Sequence, residues 1–201
     1  LENCLKSSVT GPCDILNLAA MEWARSHPGL SEPLFEVQVT SPGGKTVNCF
    51  GNCRIRPDEA IENITAADII LIPVIAGDLG PLLSDRTLVS WLIDQHVSGA
   101  VISAVCAGCF LAAETGLLDH RAATTHWFLA EDFRRRYPRV ILKKEKMIVD
   151  VGDFITAGGV SAYQDLSLYL TARFGAPELT AMLTKTLLLD PYRTSQAPYF
   201  L

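Results

Sequence analysis

Long apolar runs are missing from this sequence, since no stretch approaches the roughly 18 to 20 consecutive apolar residues that a membrane-spanning helix requires. The start of the chain also lacks the charged, apolar and small-residue pattern of a signal peptide. We therefore expect a soluble, cytoplasmic protein with no membrane partner.

Positive charge is in short supply as well, with 17 Lys and Arg against 22 Asp and Glu and a formal net charge of −5. Such a balance gives no general attraction to a phosphate backbone. The chain has 201 residues, of which 49% are hydrophobic, and this is enough material for one large core in a single domain. We expect that this domain does not itself hold DNA.

Cysteine is sparse, because six residues in 201 do not reach the density of a disulfide-stapled secreted domain. Reduced thiols are therefore expected. Cys49 and Cys53, taken with the C-x-x-C pair Cys106 and Cys109, allow a four-thiolate metal site as one alternative, although zinc thiolates usually come from turns and Cys106 follows a strand-like run. A thioredoxin-like redox pair is a second alternative, but the aromatic and proline context of that motif is lacking. We predict no metal and no cofactor.

Short β-rich runs alternate with helical patterns along the chain. Strands are predicted at 35–40, 69–73, 100–105, 146–151 and 154–156, and helices at 13–25, 84–96, 125–137, 161–174 and from Pro177 onward. Alternation with continuous apolar strands implies a mostly parallel sheet that helices cover on both faces. The predicted fold class is α/β, a doubly wound three-layer α/β/α sandwich of flavodoxin-like type. The helix from Cys13 needs a preceding strand, so part of a first strand is expected to be missing.

Linker-like composition is confined to the end of the chain, where prolines and polar residues run from Asp190 to Pro198. We therefore place the folded domain at residues 1–189 and a linker at residues 190–201.

The most informative segment is 99–114, where a strand-like run is followed by Cys106, then Gly108, then a helical pattern. This order is typical of a nucleophile elbow, which holds a reactive side chain above the sheet. The helix N-terminus is expected to favour the thiolate and lower the pKa of Cys106. The alternative is that Cys106 is a small, half-buried residue at a tight turn.

The segment from Val105 to Trp127 resembles the sensor domains of the ThiJ/PfpI, glutamine-amidotransferase-like superfamily that occur in AraC-type, GlxA-like transcriptional regulators. Its elbow Cys, its Gly-Leu-Leu-Asp turn and its Ala-Thr-Thr-His-Trp run carry the resemblance. Segments 8–16 and 157–166 are similar to other motifs of the group, and 189–199 looks like the linker to a helix-turn-helix domain. The similarity covers essentially the whole chain.

The resemblance implies a pocket around Cys106, at the carboxyl ends of the parallel strands. It places His126 as a polar neighbour of the thiol and Trp127 beside it. Gly77 and Ala107 would supply oxyanion-binding N–H groups. Considered without the resemblance, His126 is interpreted as an ordinary residue at a helix start.

Two departures from the enzymatic members of the superfamily point away from turnover. Ala107 stands where those members often carry His, and Ser8 stands where many carry an acidic residue beside the thiol. Nucleophilic catalysis needs an oriented base, so sensing is favoured over hydrolysis.

The predicted function is an effector-binding, dimerising domain of an AraC-type regulator. It would bind a small polar metabolite and reach DNA only through a C-terminal helix-turn-helix domain outside this chain. The alternative is a cysteine-dependent hydrolase, hydratase or amidase with Cys106 and His126 as catalytic residues. A redox switch through Cys106 and Cys109 is a third possibility. Gly158 and Gly159 lack a P-loop context and are interpreted as a close-packing turn.

Overall fold

The structure is a computed structural model that describes residues 1–29 and 31–200. The α-helices are α1 (Ser7–Ser26), α2 (Gly80–Leu83), α3 (Arg86–Val97), α4 (Gly108–Glu114), α5 (Ala130–Arg136), α6 (Ala162–Phe174) and α7 (Pro177–Leu187). The strands are β1 (Thr40–Ser41), β2 (Val47–Cys49), β3 (Cys53–Ile55), β4 (Glu59–Ala60), β5 (Ile69–Ile72), β6 (Val101–Val105), β7 (Ala122–Ala123), β8 (Ile141–Leu142), β9 (Ile148–Asp150) and β10 (Phe154–Ala157). None of the helices in these ranges combines the length and hydropathy that crossing a bilayer demands.

A four-stranded sheet in the order β5-β6-β10-β9 forms the centre of the fold. Strands β5, β6 and β10 are parallel, while β9 pairs antiparallel with β10. Ile72 lies beside Ala104, and Val105 lies beside Ala157. The carboxyl ends of the three parallel strands therefore meet at one edge of the sheet, where Cys106 follows β6.

Helices cover both faces of this sheet. Because side chains alternate along a strand, Ile102 and Ala104 join one buried cluster with α3, α4 and α5, while Val105 joins another with α1 and α6. Phe154 and Ile155 divide in the same way on β10. The fold is thus α/β with helices on two sides of a mostly parallel sheet, which confirms the predicted class.

Four of the five predicted strands are present at nearly the predicted positions, but the strand predicted at 35–40 is wrong. Only its last residue, Thr40, is in a strand, the two-residue β1 that pairs with β4. Segment 34–40 lines a cavity of about 880 Å³ that also borders β5 and α1. The apolar residues that suggested a strand there face this cavity and the helix α1.

Helix α1 begins at Ser7, six residues before the predicted start, and contains Pro12. Gly11 is the point at which α1 packs on α6, since a Cβ there would lie 2.3 Å from Cε2 of Tyr163. The close helix contact, and not a chain reversal, is the reason for the glycine.

The last residues of the chain fold back onto the domain. The Met147 N–H donates to Thr194 O at 3.0 Å, and the Gln196 N–H donates to Glu145 O at 2.8 Å. An ion pair of 3.2 Å joins Arg193 to Asp165. The segment predicted as a linker therefore lies against the domain over residues 193–196, and its role as a linker stays a prediction.

Candidate functional site

The turn between β6 and α4 is a sharp elbow centred on Cys106. This residue has φ = 57°, in the left-handed region that L residues other than Asn and Asp rarely adopt. Its N–H donates to Ala157 O at 2.7 Å, and its carbonyl accepts from Thr125 Oγ1 at 2.7 Å and from the Cys109 N–H at 3.2 Å. Three hydrogen bonds thus hold a strained backbone, an arrangement that is common at functional sites.

Gly108 allows the first turn of α4 to approach β5 closely. A Cβ at this position would lie 2.4 Å from Pro73 O, which is a backbone atom that cannot move aside easily. The glycine two residues after Cys106 is therefore a requirement of the elbow, as the sequence pattern suggested.

The thiol of Cys106 is buried, with only 4% of the residue exposed. Burial raises its pKa from 9.0 to about 11, and the opposing hydrogen bond from the Ala107 N–H lowers it less. The expectation that the helix N-terminus would lower this pKa is therefore wrong, because α4 is short and desolvation of the thiolate dominates. The same N–H of Ala107 was predicted to bind an oxyanion.

Ser8 fills the position where an acidic neighbour of the thiol is expected in enzymes. The residue is fully buried, and its hydroxyl donates to Leu5 O at 2.7 Å and accepts from the Val74 N–H at 3.0 Å. Both hydrogen bonds go to backbone, so Ser8 anchors the start of α1 to the end of β5. No carboxylate takes its place beside Cys106 within the described residues.

His126 and Trp127 begin the segment that leads into α5, and both are half-buried. Nδ1 of His126 accepts from the Phe128 N–H at 3.1 Å, which places the proton of the neutral ring on Nε2. Burial lowers the pKa of His126, so the ring is neutral near pH 7. The two rings lie 5.6 Å apart. Across the described residues, His126 makes no hydrogen bond to Cys106; the contact runs through its neighbour Thr125.

Gly77 lies in the exposed loop after β5, with φ = 86°. A Cβ there would meet nothing within 4 Å, so its positive φ, rather than crowding, favours glycine. The loop leaves the same sheet edge as Cys106, because β5 and β6 are parallel neighbours. Whether its N–H faces a ligand stays a prediction.

The structure joins Cys106 directly to Ala107 and Thr125, and it places Gly77, His126 and Trp127 on flanking segments. None of the five predicted ligand-contact residues lines the 880 Å³ cavity beside β5. Sequence reasoning missed the part played by Thr125, although the Ala-Thr-Thr-His motif contains it. It also missed Gln196, for which the sequence carries no signal because the residue lies 69 positions away from its partner Trp127.

The cysteines do not assemble into a metal site. In residues 1–29 and 31–200, no group of three or more His, Cys, Asp or Glu side chains is placed to hold an ion. The Sγ atoms of Cys4 and Cys49 lie 3.6 Å apart, remote in sequence from the C-x-x-C pair. Cys109 is fully buried, its thiol faces Ala104 O at 3.4 Å, and burial raises its pKa strongly. These features disfavour the redox-switch alternative, which needs an exposed thiol of low pKa.

Comparison with known proteins identifies the relatives of this arrangement. The DJ-1/PfpI family matches residues 18–173. The HTH-type transcriptional regulator CdhR of Pseudomonas aeruginosa is 30% identical over 180 residues, which are 89% of this chain and 52% of CdhR. Isonitrile hydratase of Pseudomonas putida is 28% identical over 194 residues, 96% of this chain and 75% of that enzyme. The crystal structure of an AraC family transcriptional regulator from Pseudomonas putida matches with a TM-score of 0.78 at 19% identity, covering 93% of this chain and 95% of that one.

The chain spans about half the length of the curated regulators it matches, 52% of CdhR and 44% of the HTH-type regulator GbdR. The structural match, at 19% identity, is evidence of shared fold. The family match, in contrast, extends over most of the sequence, from within α1 to the end of α6. On these grounds the chain belongs to the DJ-1/PfpI family, and its relatives include AraC-type regulators.

Proposed function

We propose that this chain is the effector-binding and dimerisation domain of an AraC-type transcriptional regulator, and that it senses a small polar metabolite beside Cys106. DNA would be contacted by a helix-turn-helix domain outside the chain. The net charge of −5 supports this division of labour, because the domain itself offers phosphates no general attraction.

The observation that carries the proposal is the combination of a strained elbow with a protonated thiol. The pKa of Cys106 is raised to about 11, and Ser8 is committed to backbone hydrogen bonds. A nucleophile in this setting lacks both an ionised form and an oriented acid or base. The elbow geometry is retained, so the site is suited to binding and not to turnover.

The chemistry of the site favours a ligand with hydrogen-bond acceptors. The Ala107 N–H and Nε2–H of His126 are donors, and Trp127 offers an aromatic surface next to the His126 ring. A carbonyl or carboxylate group could accept from such donors while an apolar part packs on the indole. The similarity to HTH-type regulators over 89% of the chain supports a ligand that is bound and released unchanged.

The first test is a thermal-shift screen of the domain against small nitrogen-bearing and carboxylate metabolites. A true effector present at a hundred times its Kd should stabilise the fold by about 2.7 kcal/mol, a rise of about 5 to 10 °C in Tm for a domain of this size. Cys106→Ala and His126→Ala should reduce that shift. Cys53→Ala is the matched control, because Cys53 is exposed and remote from the elbow in sequence, and it should leave the shift intact.

Dimerisation is a separate part of the proposal. Several large apolar side chains are exposed, among them Phe50 at 64%, Phe128 at 73% and Leu188 at 90%. Exposed aromatic and aliphatic residues of this kind are common in protein interfaces. Light scattering after size-exclusion chromatography measures the mass, and a monomer at all concentrations would contradict this part while leaving effector binding standing.

A second function is supported by the elbow and by the similarity to isonitrile hydratase over 96% of the chain. In this case Cys106 would attack an electrophilic carbon, and the N–H groups of Gly77 and Ala107 would stabilise the developing charge while His126 transfers the proton. Incubation with isonitriles, amides and dicarbonyls tests it. Consumption of any of these that is lost in Cys106→Ala would establish the enzyme and overturn the sensor.

A further inference from the structure

Gln196 belongs to the polar segment at the C-terminal side of the domain, yet only 2% of the residue is exposed. Its Nε2 lies 2.9 Å from Thr125 O, 3.1 Å from Lys144 O and 3.0 Å from Lys146 O. Its Oε1 accepts from the Trp127 N–H at 3.2 Å. A buried primary amide has two N–H donors and one acceptor oxygen, and every one of them is used here.

Gly158 makes room for this amide. A Cβ at Gly158 would lie 1.9 Å from Nε2 of Gln196, closer than any side chain could tolerate. Gly158 follows directly on β10, so the amide is held against the edge of the sheet at which Cys106 lies. The close-packing turn predicted at this glycine therefore packs against the end of the chain itself.

Two hydrogen bonds connect the amide to the elbow. Thr125 Oγ1 donates to Cys106 O at 2.7 Å, and the carbonyl of the same Thr125 accepts from Gln196. The amide oxygen also accepts a hydrogen bond from the Trp127 N–H, so the side chain of Gln196 is bonded to the backbone on both sides of His126. Two of the proposed ligand-contact residues are thus positioned by a side chain that arrives from the far end of the chain.

The rest of the segment 190–200, which we call the tail, is docked by weaker contacts. Arg193 is paired with Asp165 at 3.2 Å and donates to Ser161 Oγ at 3.1 Å. Ser195 forms an isolated β-bridge with Lys146. These contacts are partly exposed, whereas the amide of Gln196 is the buried anchor.

We propose that Gln196 is a positioning residue for the candidate site, and that occupation of the site is coupled to docking of the tail. A group that enters beside Cys106 displaces Thr125 or His126 and so loosens the amide from its carbonyl partners. Undocking of the tail in turn frees the wall of the site. The identity of the ligand rests on the proposed function, but the coupling does not, because alkylation of Cys106 can stand in for occupation.

Reciprocity allows the coupling to be measured from both ends. In the first experiment, wild-type protein is alkylated at Cys106 with iodoacetamide, and trypsin cleavage after Arg193 is followed by the loss of the C-terminal residues in the intact mass. Cleavage reports the population of undocked tail when opening is fast. We expect alkylation to accelerate it at least about fivefold, the lower end of typical coupling. Protein carrying Cys106→Ala, treated identically, controls for alkylation at other thiols.

In the second experiment, the rate of Cys106 alkylation is measured in Gln196→Glu and in Gly158→Ala. Gln196→Glu keeps the shape of the side chain but replaces the amide N–H donors with a carboxylate oxygen. Gly158→Ala keeps the amide but adds a methyl group in the space that the amide occupies. Both should raise the alkylation rate severalfold, because an undocked tail leaves the wall of the site open more often. Tyr192→Ala is the matched control in the tail, since Tyr192 is 84% exposed, and it should react like the wild type.

The outcomes separate this proposal from the function. Unchanged cleavage of alkylated wild-type protein would overturn the coupling even if a variant failed to fold, because that experiment needs no variant at Gln196. A metabolite that stabilises the domain without altering tail cleavage would also overturn it, while leaving the sensor proposal intact. Absence of any ligand, with the two accelerations present, would leave the coupling standing and remove the proposed function.

Discussion

Alkylation of Cys106 should be slow at neutral pH and should accelerate about tenfold with each pH unit until about pH 10. Burial raises the pKa of the thiol from 9.0 to about 11. At pH 8 about one thiol in a thousand is then ionised, against about one in ten for a pKa of 9.0. Because the thiolate is the reacting form, Cys106 should react roughly a hundred times more slowly than an ordinary cysteine. Its 4% exposure slows it further.

The assay is reaction with iodoacetamide between pH 7 and pH 10.5, followed by digestion and tandem mass spectrometry. Cys106 and Cys109 share one tryptic peptide, so fragment ions must assign the modified residue. Exposed Cys53 is the internal reference. An inflection in the rate profile below pH 8 would refute the argument from burial, and it would favour the enzymatic alternative, which requires a thiolate at working pH.

Three further predictions concern stability and can be checked by urea denaturation. Gly108→Ala should lower the free energy of unfolding by about 1–3 kcal/mol, because the added methyl group overpacks against Pro73 O. Gly29→Ala is the control: the space around Gly29 is open, so the free energy of unfolding should change by no more than about 0.5 kcal/mol. Equal effects of the two substitutions would contradict the close approach at the elbow. Phe133→Ala should cost about 3–5 kcal/mol, since Phe133 is completely buried, and a loss under 1 kcal/mol would mean that the core beneath α5 is loose. Burial raises the pKa of Asp165 to about 6 despite its cationic partner, so the folded state binds a proton that the unfolded chain has released; the free energy of unfolding should therefore fall as pH rises from about 4 to 6. Asp165→Asn should abolish that fall, and an identical pH profile in both proteins would refute it.

The strands of the central sheet could be predicted from the sequence because their apolar runs are easy to recognise. Ile69–Ile72 is a continuous apolar run, and Val101–Val105 is apolar apart from Ser103; runs of this kind are typical of parallel strands that helices cover on both faces. The elbow was accessible for the same reason, since a strand, a Cys and a Gly two residues later leave few local geometries. Local sequence therefore determined the scaffold of the candidate site.

Failures occurred where contacts distant in sequence decide the outcome. Segment 35–40 has strand-like residues, but among the described residues only Thr40 of this segment pairs with another strand, so propensity alone was misleading. The helix predicted from Thr125 begins only at Ala130, after a 3-10 turn, because Thr125 is engaged with Cys106 and Gln196. The pKa of Cys106 likewise depends on how deeply the thiol is buried, and a sequence motif does not reveal that depth.

Gln196 follows every other residue of the candidate site in the sequence, and this order has a consequence for the events during synthesis. A ribosome delivers the elbow, β10 and both flanking helices before residue 196 emerges, and domains generally fold as their residues become available. Until then the carbonyls of Thr125, Lys144 and Lys146 lack the amide that joins them in the finished fold. The site would thus reach its final form only after the tail has emerged.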